Sequence, residues 1–254
     1  MAARPKHVRL TRLFHAAPLV AGATVRLEAR AAAHLARVLR MQVGDALRLF
    51  DGRGAEHAAS IIALKAERVD VELGAALAPL PESPLAITLA QGISRGERMD
   101  YAIQKATELG VARIVPLTCE RSVVRLRPDQ AVQRHEHWRG VVISACEQCG
   151  RATLPALEAP RRLDAHLALA RDDRGPTLRA VLAPGAADGP RRLPAGLAAI
   201  ELLIGPEGGL SDAEIRLAVG AGYRSLSLGP RVLRTETAAA AAIAALQTLY
   251  GDLG

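Results

Sequence analysis

The chain has 254 residues, with 33 Lys+Arg against 26 Asp+Glu for a formal net charge of +7; half of it is hydrophobic and only 2% aromatic. That length suits one large or two modest domains with a core built from Ala, Leu and Val, and the basic balance favours a polyanionic partner. Three cysteines (Cys119, Cys146, Cys149) argue against a secreted disulfide scaffold. No apolar h-region follows the first six residues, and no run approaches the ~20 residues of a membrane span, so a cytoplasmic protein without a membrane anchor is expected.

The first 75 residues hold most of the excess charge, with 12 Lys+Arg against 7 Asp+Glu. Arg37 and Arg40 are three apart, a spacing that places them on one face of a helix. Alternating runs at 46–50 (ALRLF) and 68–73 (RVDVEL), with a turn at Asp51 and Gly52, predict a small β-barrel or sheet. A proline-rich break at 78–84 sets the division: residues 1–75 as one domain, 76–84 as a linker, 85–254 as the second domain. There, 85–89 reads as a strand. Residues 95–109 read as a helix with Met99, Ala102, Ile103, Ala106 and Leu109 on one face, ended by Gly110. Residues 112–117 form the next strand, and this β-α-β order implies an α/β domain with a mostly parallel sheet. From Asp129 onward, Trp138, Val141, Val142, Ala145 and Cys149 form a helical stripe. Zinc at Cys146-x-x-Cys149 needs two more ligands, and no second CxxC or HxxxH occurs, so the cysteines read as buried structural residues and no metal is expected.

Two segments near the C-terminus carry the chemistry. In 203–215 (LIGPEGGLSDAEI), the apolar run 202–204 reads as a buried strand stopped by Gly205 and Pro206. Gly208 and Gly209 admit backbone angles closed to other residues and let a ligand approach the main chain. Ser211 and Glu214 have capping-box spacing, so a helix begins there. The loop is neither a P-loop nor G-x-G-x-x-G, and Glu207 repels a polyphosphate; a neutral or cationic ligand fits better. On loop pattern alone, a tight turn without a ligand remains an equal reading. In 228–238 (LGPRVLRTETA), the strand 225–228 ends at Gly229 and Pro230. Residues 231–234 form a loop, Thr235 is the expected N-cap and Glu236 sits in the first turn. The alanine-rich stretch that follows is helical. Its small and apolar residues cover much of the circumference, more than a one-sided surface helix needs.

GPEGGLSDAEI and LGPRVLRTETA resemble the cofactor-binding motifs of the SPOUT superfamily, and within it the bacterial 16S ribosomal RNA uridine-N3 methyltransferases that act on uridine 1498. Segments 34–41 (HLARVLRM), 49–52 (LFDG), 94–97 (SRGE), 104–110 (QKATELG) and 145–151 (ACEQCGR) resemble the same family in the same order. One departure is Ala183-Pro184-Gly185, where the family often has His-Pro-Arg. The resemblance implies a SPOUT-type parallel sheet with a C-terminal trefoil knot, preceded by a small PUA-like β-barrel that binds RNA. It implies S-adenosylmethionine as cofactor, cradled by Leu182, Ile204, Gly205, Pro206, Glu207, Gly208, Gly209, Leu228, Gly229, Val232, Leu233, Arg234 and Glu236. Arg234 and Glu236 are the catalytic candidates, with a structural cap pair as the alternative. The partners implied are 16S rRNA or the 30S subunit, and a second copy of the chain in a homodimer with a shared active site. Candidates for RNA contacts are Arg9, Arg12, Arg37 and Arg40, then Arg95, Arg98, Lys105, Arg121, Arg125 and Arg127; any one of them reads equally well as a solvated charge. The competing functions are a non-catalytic RNA-binding protein that keeps the fold and a ribose 2′-O-methyltransferase.

Overall fold

The computed structural model describes residues 10–65, 68–124, 126–172 and 177–254. Arg9 and Arg125 lie outside the described residues. The chain divides into two compact units, residues 1–81 with 146–154, and residues 82–145 with 155–254. Segment 146–154 therefore counts with the N-terminal residues, a return that the linear division of the sequence does not contain.

The first unit holds β1 (Arg12–Phe14), β2 (Thr24–Arg26), α1 (Ala29–Ala33) running into a π turn (His34–Val38), β3 (Ala46–Phe50), β4 (Glu56–Lys65) and β5 (Arg68–Leu77). They form one five-stranded sheet in the order β1-β3-β4-β5-β2, parallel only between β1 and β3. Alternation puts Leu47 and Leu49, Ala59 and Ile61, and Val69, Val71 and Leu73 into one core, which Ala32 and Leu35 cover from α1 and the π turn. Two register shifts in β4 bend the sheet. The helix is shorter than the spacing of its arginines requires. It ends at Val38, and Arg40 adopts a left-handed backbone (φ 53°). Arg37 and Arg40 are both exposed, but they do not share a helical face.

Arg12 corrects the sequence reading more sharply. Its side chain is only 8% exposed, lies 4.7 Å from the centroid of the Phe50 ring, and donates to both carboxylate oxygens of Glu56 (3.1 and 2.9 Å). It also donates to the carbonyls of Cys146 (2.7 Å) and Arg151 (3.3 Å). A nearly buried guanidinium with four of its five N–H donors committed internally is a strut that ties 146–154 to β1 and β4, not a phosphate contact. Replacing it by Met leaves Glu56 buried without its two-point partner, with Arg48 at 3.5 Å. Arg12→Met should cost about 3 kcal/mol, the low end for breaking a buried pair. Urea unfolding checks this, and a loss below ~1 kcal/mol would show that the pair does not hold the unit together.

The second unit contains β6 (Ala86–Gly92), α2 (Glu97–Glu108), β7 (Arg113–Thr118), α3 (Pro128–Cys149, whose last turn belongs to the first unit), β8 (Ala156–Leu157) and β9 (Arg161–Arg162). Then come α4 (Leu163–Asp172), β10 (Leu178–Leu182), a 3-10 turn (Pro190–Arg192), β11 (Ala199–Ile204), α5 (Asp212–Gly220), β12 (Arg224–Leu226) and α6 (Thr235–Tyr250). The sheet is parallel throughout, in the order β12-β10-β11-β6-β7-β8, with β9 also on β7. Met99, Ala102, Ile103 and Ala106 of α2 are buried as their spacing requires, and so are Trp138, Val142 and Ala145 of α3. Because β10 and β11 are neighbours and β12 flanks β10, the loops that leave all three carboxyl ends meet on one edge.

α6 is fixed near its far end by Gln247, fully buried, whose Nε2 donates to Leu109 O (3.0 Å) while its Oε1 accepts from Ser83 Oγ (2.6 Å). Ala239, Ala242, Ile243 and Leu246 are buried, whereas Ala238, Ala241 and Ala245 are half-buried in the single chain.

Candidate functional site

The loops after β10, β11 and β12 enclose a cleft of about 670 Å³. Leu182, Ile204, Gly205, Pro206, Glu207, Gly208, Gly209, Leu228, Gly229, Val232, Leu233, Arg234 and Glu236 all line it. So do Leu210, Asp212, Ile215, Arg231, Thr235 and Ala238, and two arginines from elsewhere in the unit, Arg98 and Arg121. A second cavity of about 390 Å³ shares the wall at 229 and 231–232 and runs along 184–189. Ala183 and Pro184 line the first cavity and Pro184 and Gly185 the second, so this segment brings no ionisable side chain to either.

The first loop is built from backbone at van der Waals limits. A Cβ on Gly205 would stand 2.7 Å from Leu210 N and 2.8 Å from the carbonyl carbon of Gly209, so no other residue fits there without moving main chain. Gly209 has φ 68° and its N–H closes a turn onto Pro206 O at 2.8 Å. α5 begins with the expected capping box: Ser211 Oγ accepts from Glu214 N (3.2 Å), and Glu214 Oε2 accepts from Ser211 N (2.9 Å). The same pair anchors the loop after β7, because Ser211 Oγ donates to Glu120 Oε2 (2.7 Å) and Glu214 Oε1 accepts from Glu120 N (2.7 Å). Burial, with the Glu214 carboxylate nearby, pushes the adjacent Cys119 thiol up to about 12. Arg121 then reaches Gly208 O (3.3 Å) and Leu210 O (3.4 Å).

Glu207 is part-buried, its side chain 17% exposed. Its Oε1 accepts from Arg95 N (2.7 Å) and Arg98 Nη1 (3.3 Å), while Oε2 is buried without a hydrogen-bond partner among the described residues. Burial alone raises its pKa, but the backbone N–H groups of Arg95 and Glu207 and the Arg98 guanidinium outweigh that and hold the carboxyl below its ordinary range. The group is ionised at neutral pH, a fixed negative charge in the floor of the cleft.

In the second loop the N-cap falls on Arg234, one residue before the expected Thr235, with an extended backbone (φ −63°, ψ 152°) and no side-chain capping bond. The Thr235 hydroxyl is used elsewhere: it donates to Gly205 O at 2.6 Å, joining the two loops. Arg234 is exposed, and among the described residues its guanidinium makes no hydrogen bond or ion pair. Glu236 Oε2 is buried without a partner, so the cap ion pair weighed for these two is not formed among the described residues.

Of the other basic candidates, Arg95 and Arg98 sit exposed beside the cleft loop, whereas Lys105 is engaged by Glu108 (2.8 Å) and the Tyr101 ring. Arg127 is 3.8 Å from Asp129. Among the described residues no cluster of three or more His, Cys, Asp or Glu is placed to hold a metal ion, and no helix is long and apolar enough to cross a membrane. The sequence reading did not include Thr235 or Asp212 in the cleft; Thr235 looked like a cap, and its hydroxyl's tertiary partner leaves no mark in the sequence.

A parallel sheet ending in two such loops, with a separate mixed sheet before it, is the architecture of an RNA methyltransferase. The family models that match are an RNA methyltransferase domain over residues 81–247 and an RNA methyltransferase PUA domain over residues 27–74. The ribosomal RNA small subunit methyltransferase E of Buchnera aphidicola (subsp. Schizaphis graminum) is 36% identical across 87% of this chain and 88% of its own length. That of Synechocystis is 34% identical across 94% and 77%. The Neisseria gonorrhoeae enzyme of the same name, crystallised with S-adenosyl methionine, superposes with a TM-score of 0.87 at 38% identity, covering 96% of this chain and all of that one. A Legionella pneumophila protein described as a methyltransferase, solved with bound SAM, gives 0.92 at 43% identity, covering 97% and 100%. The chain belongs to the ribosomal RNA small subunit methyltransferase E family.

Ser211→Ala removes the cap of α5 and the tie to Glu120 together. Stability should fall by about 1–2 kcal/mol, and amide exchange should rise first at 205–211 and 119–122. Exchange unchanged at 119–122 would show that the loop after β7 is held by other contacts.

Proposed function

We propose that the protein uses S-adenosylmethionine to methylate N3 of a uridine, uridine 1498, in the 16S rRNA of the 30S subunit, and that it works in the cytoplasm as a homodimer without a metal ion. The observation that carries this reading is the convergence of both signature loops on one cleft, with an arginine unengaged among the described residues and a carboxylate whose Oε2 is buried without a partner among them at the start of α6.

The cleft suits that cofactor. Its lining includes the backbone of Gly205, Gly208 and Gly209, with open space beside Gly209, and Glu207 and Glu236 each hold a buried carboxylate oxygen without a partner among the described residues, which favours a cationic ligand over a polyphosphate. When bound, S-adenosylmethionine supplies an electrophilic methyl group on a sulfonium. The chain's residues have the remaining tasks. N3 of uridine carries a proton and lies on the Watson–Crick edge, so the base must be unpaired and offered to the cleft. Glu236 Oε2 takes the N3 proton. Arg234, with its guanidinium uncommitted, stabilises the negative charge that spreads to O2 and O4 of the base. The backbone of 204–209 and 228–234 holds and orients the donor. Arg95, Arg98 and Arg121, beside the cleft, meet RNA phosphates, and Arg37 and Arg40 do so in the first unit. A trefoil knot formed by the C-terminal loops belongs to the same reading. Twofold association is supported by the alanine stripe 238, 241 and 245, left half-buried on α6 of the single chain.

Tritiated methyl transfer to small-subunit RNA or particles, followed by nucleoside digestion and mass analysis, tests the proposal. The expected product is 3-methyluridine. Arg234→Ala should lower the transfer rate by about 10²–10³, the usual effect of losing one donor to a developing oxyanion, while cofactor affinity changes little. A methyl on ribose would indicate the 2′-O reaction, and RNA binding without transfer would indicate a non-catalytic binder.

A further inference from the structure

We infer that Gln91 is a positioning residue, whose side-chain amide clamps the start of the first cofactor loop to the start of α6 and so fixes the separation of the two loops; this rests on the cleft being the S-adenosylmethionine site. Gln91 lies at the carboxyl end of β6 and is fully buried. It does not line the cleft, so it acts through the residues it holds.

Its Nε2 faces three acceptors: Gly92 O (3.1 Å), Gly205 O (3.3 Å) and Thr235 Oγ1 (2.9 Å). Thr235 Oγ1 in turn donates to Gly205 O. The result is a closed triangle of amide, hydroxyl and carbonyl, joining β6, the loop after β11 and the first residue of α6. Gly205 O receives two donors, one for each lone pair. Gln91 Oε1, by contrast, is buried with no partner among the described residues. An apolar side chain would fill this space without stranding a carbonyl, so what the amide adds here is its donor side, which ties three segments that are far apart in the chain. The neighbouring backbone leaves no slack, because a Cβ on Gly92 would stand 2.4 Å from Pro206 N. A shift at Gln91 therefore passes directly into 205–206.

The test uses the full-length protein, with calorimetric binding of S-adenosylmethionine and steady-state methyl transfer. Gln91→Met keeps length and volume but has no donor. It should stay folded by circular dichroism, raise the cofactor Kd and KM at least tenfold, and leave the KM for RNA within twofold. Thr235→Val should have the same effect, the double variant should be no worse than the weaker-binding single one, and Thr235→Ser, which keeps the hydroxyl, should bind within threefold of wild type. A purely structural role would lower the melting temperature without this split between substrates. If Gln91→Met does not fold, the Thr235→Val and Thr235→Ser pair decides: equal affinities overturn the inference. A folded Gln91→Met with wild-type affinity overturns it alone, whereas a wild-type protein that does not bind S-adenosylmethionine overturns both it and the proposed function.

Discussion

Main chain meets main chain where β6 ends against the first loop, and the rest of the site depends on that contact. Gly92 and Gly205 have no room for a side-chain carbon: the nearest atoms to an added Cβ are backbone atoms of Pro206, Gly205, Leu210 and Gly209. Close packing of this kind cannot relax by rotating a side chain, and protein interiors transmit rather than absorb such strain. The loop is therefore held in one shape before any ligand arrives. Preorganisation of this sort lowers the ordering cost of binding and lets dipoles be aimed in advance at developing charge.

Around that contact, ionic and polar groups are sorted by whether they are already engaged. Glu207 is held by Arg95 and Arg98, Ser211 and Glu214 are shared with Glu120, and Thr235 is spent on Gly205. Arg234 and the Oε2 of Glu236 are not committed in this way. Groups that build the site are each engaged through at least one atom, although Glu207 Oε2 and Gln91 Oε1 stay without a partner among the described residues, and the exposed Arg234 and the buried Oε2 of Glu236 are left for chemistry. The first unit repeats the lesson in a different key, since Arg12 adds to the positive charge of the chain yet is consumed internally by Glu56 and two carbonyls. Net charge counts residues; it does not say which of them a polyanion can reach.

Local rules were readable in the sequence wherever a local interaction decides the outcome. The Ser211–Glu214 cap, the buried face of α2 at Met99, Ala102, Ile103 and Ala106, and the βα order of the second unit all follow from spacing within one segment. What was not readable depends on partners far away in the chain or on where a helix stops. Thr235 looks like a cap until Gly205 O, thirty residues earlier, takes its hydroxyl. Arg37 and Arg40 look like a helical pair until the helix stops at Val38 and Arg40 turns left-handed. The return of 146–154 to the N-terminal unit rests on Arg12 and on the pairing of Gly52 with Thr153, neither of which has a periodic signature.

A crystal structure of the protein with S-adenosylmethionine bound tests the preformed cradle most directly. The ligand should lie between 204–209 and 228–234, with those backbones within about 1 Å of their present positions, as for pre-organised sites, and with its methyl group turned toward Arg234. A ligand found elsewhere, or loops that refold by several ångströms to admit it, would contradict the claim that backbone packing builds the site in advance.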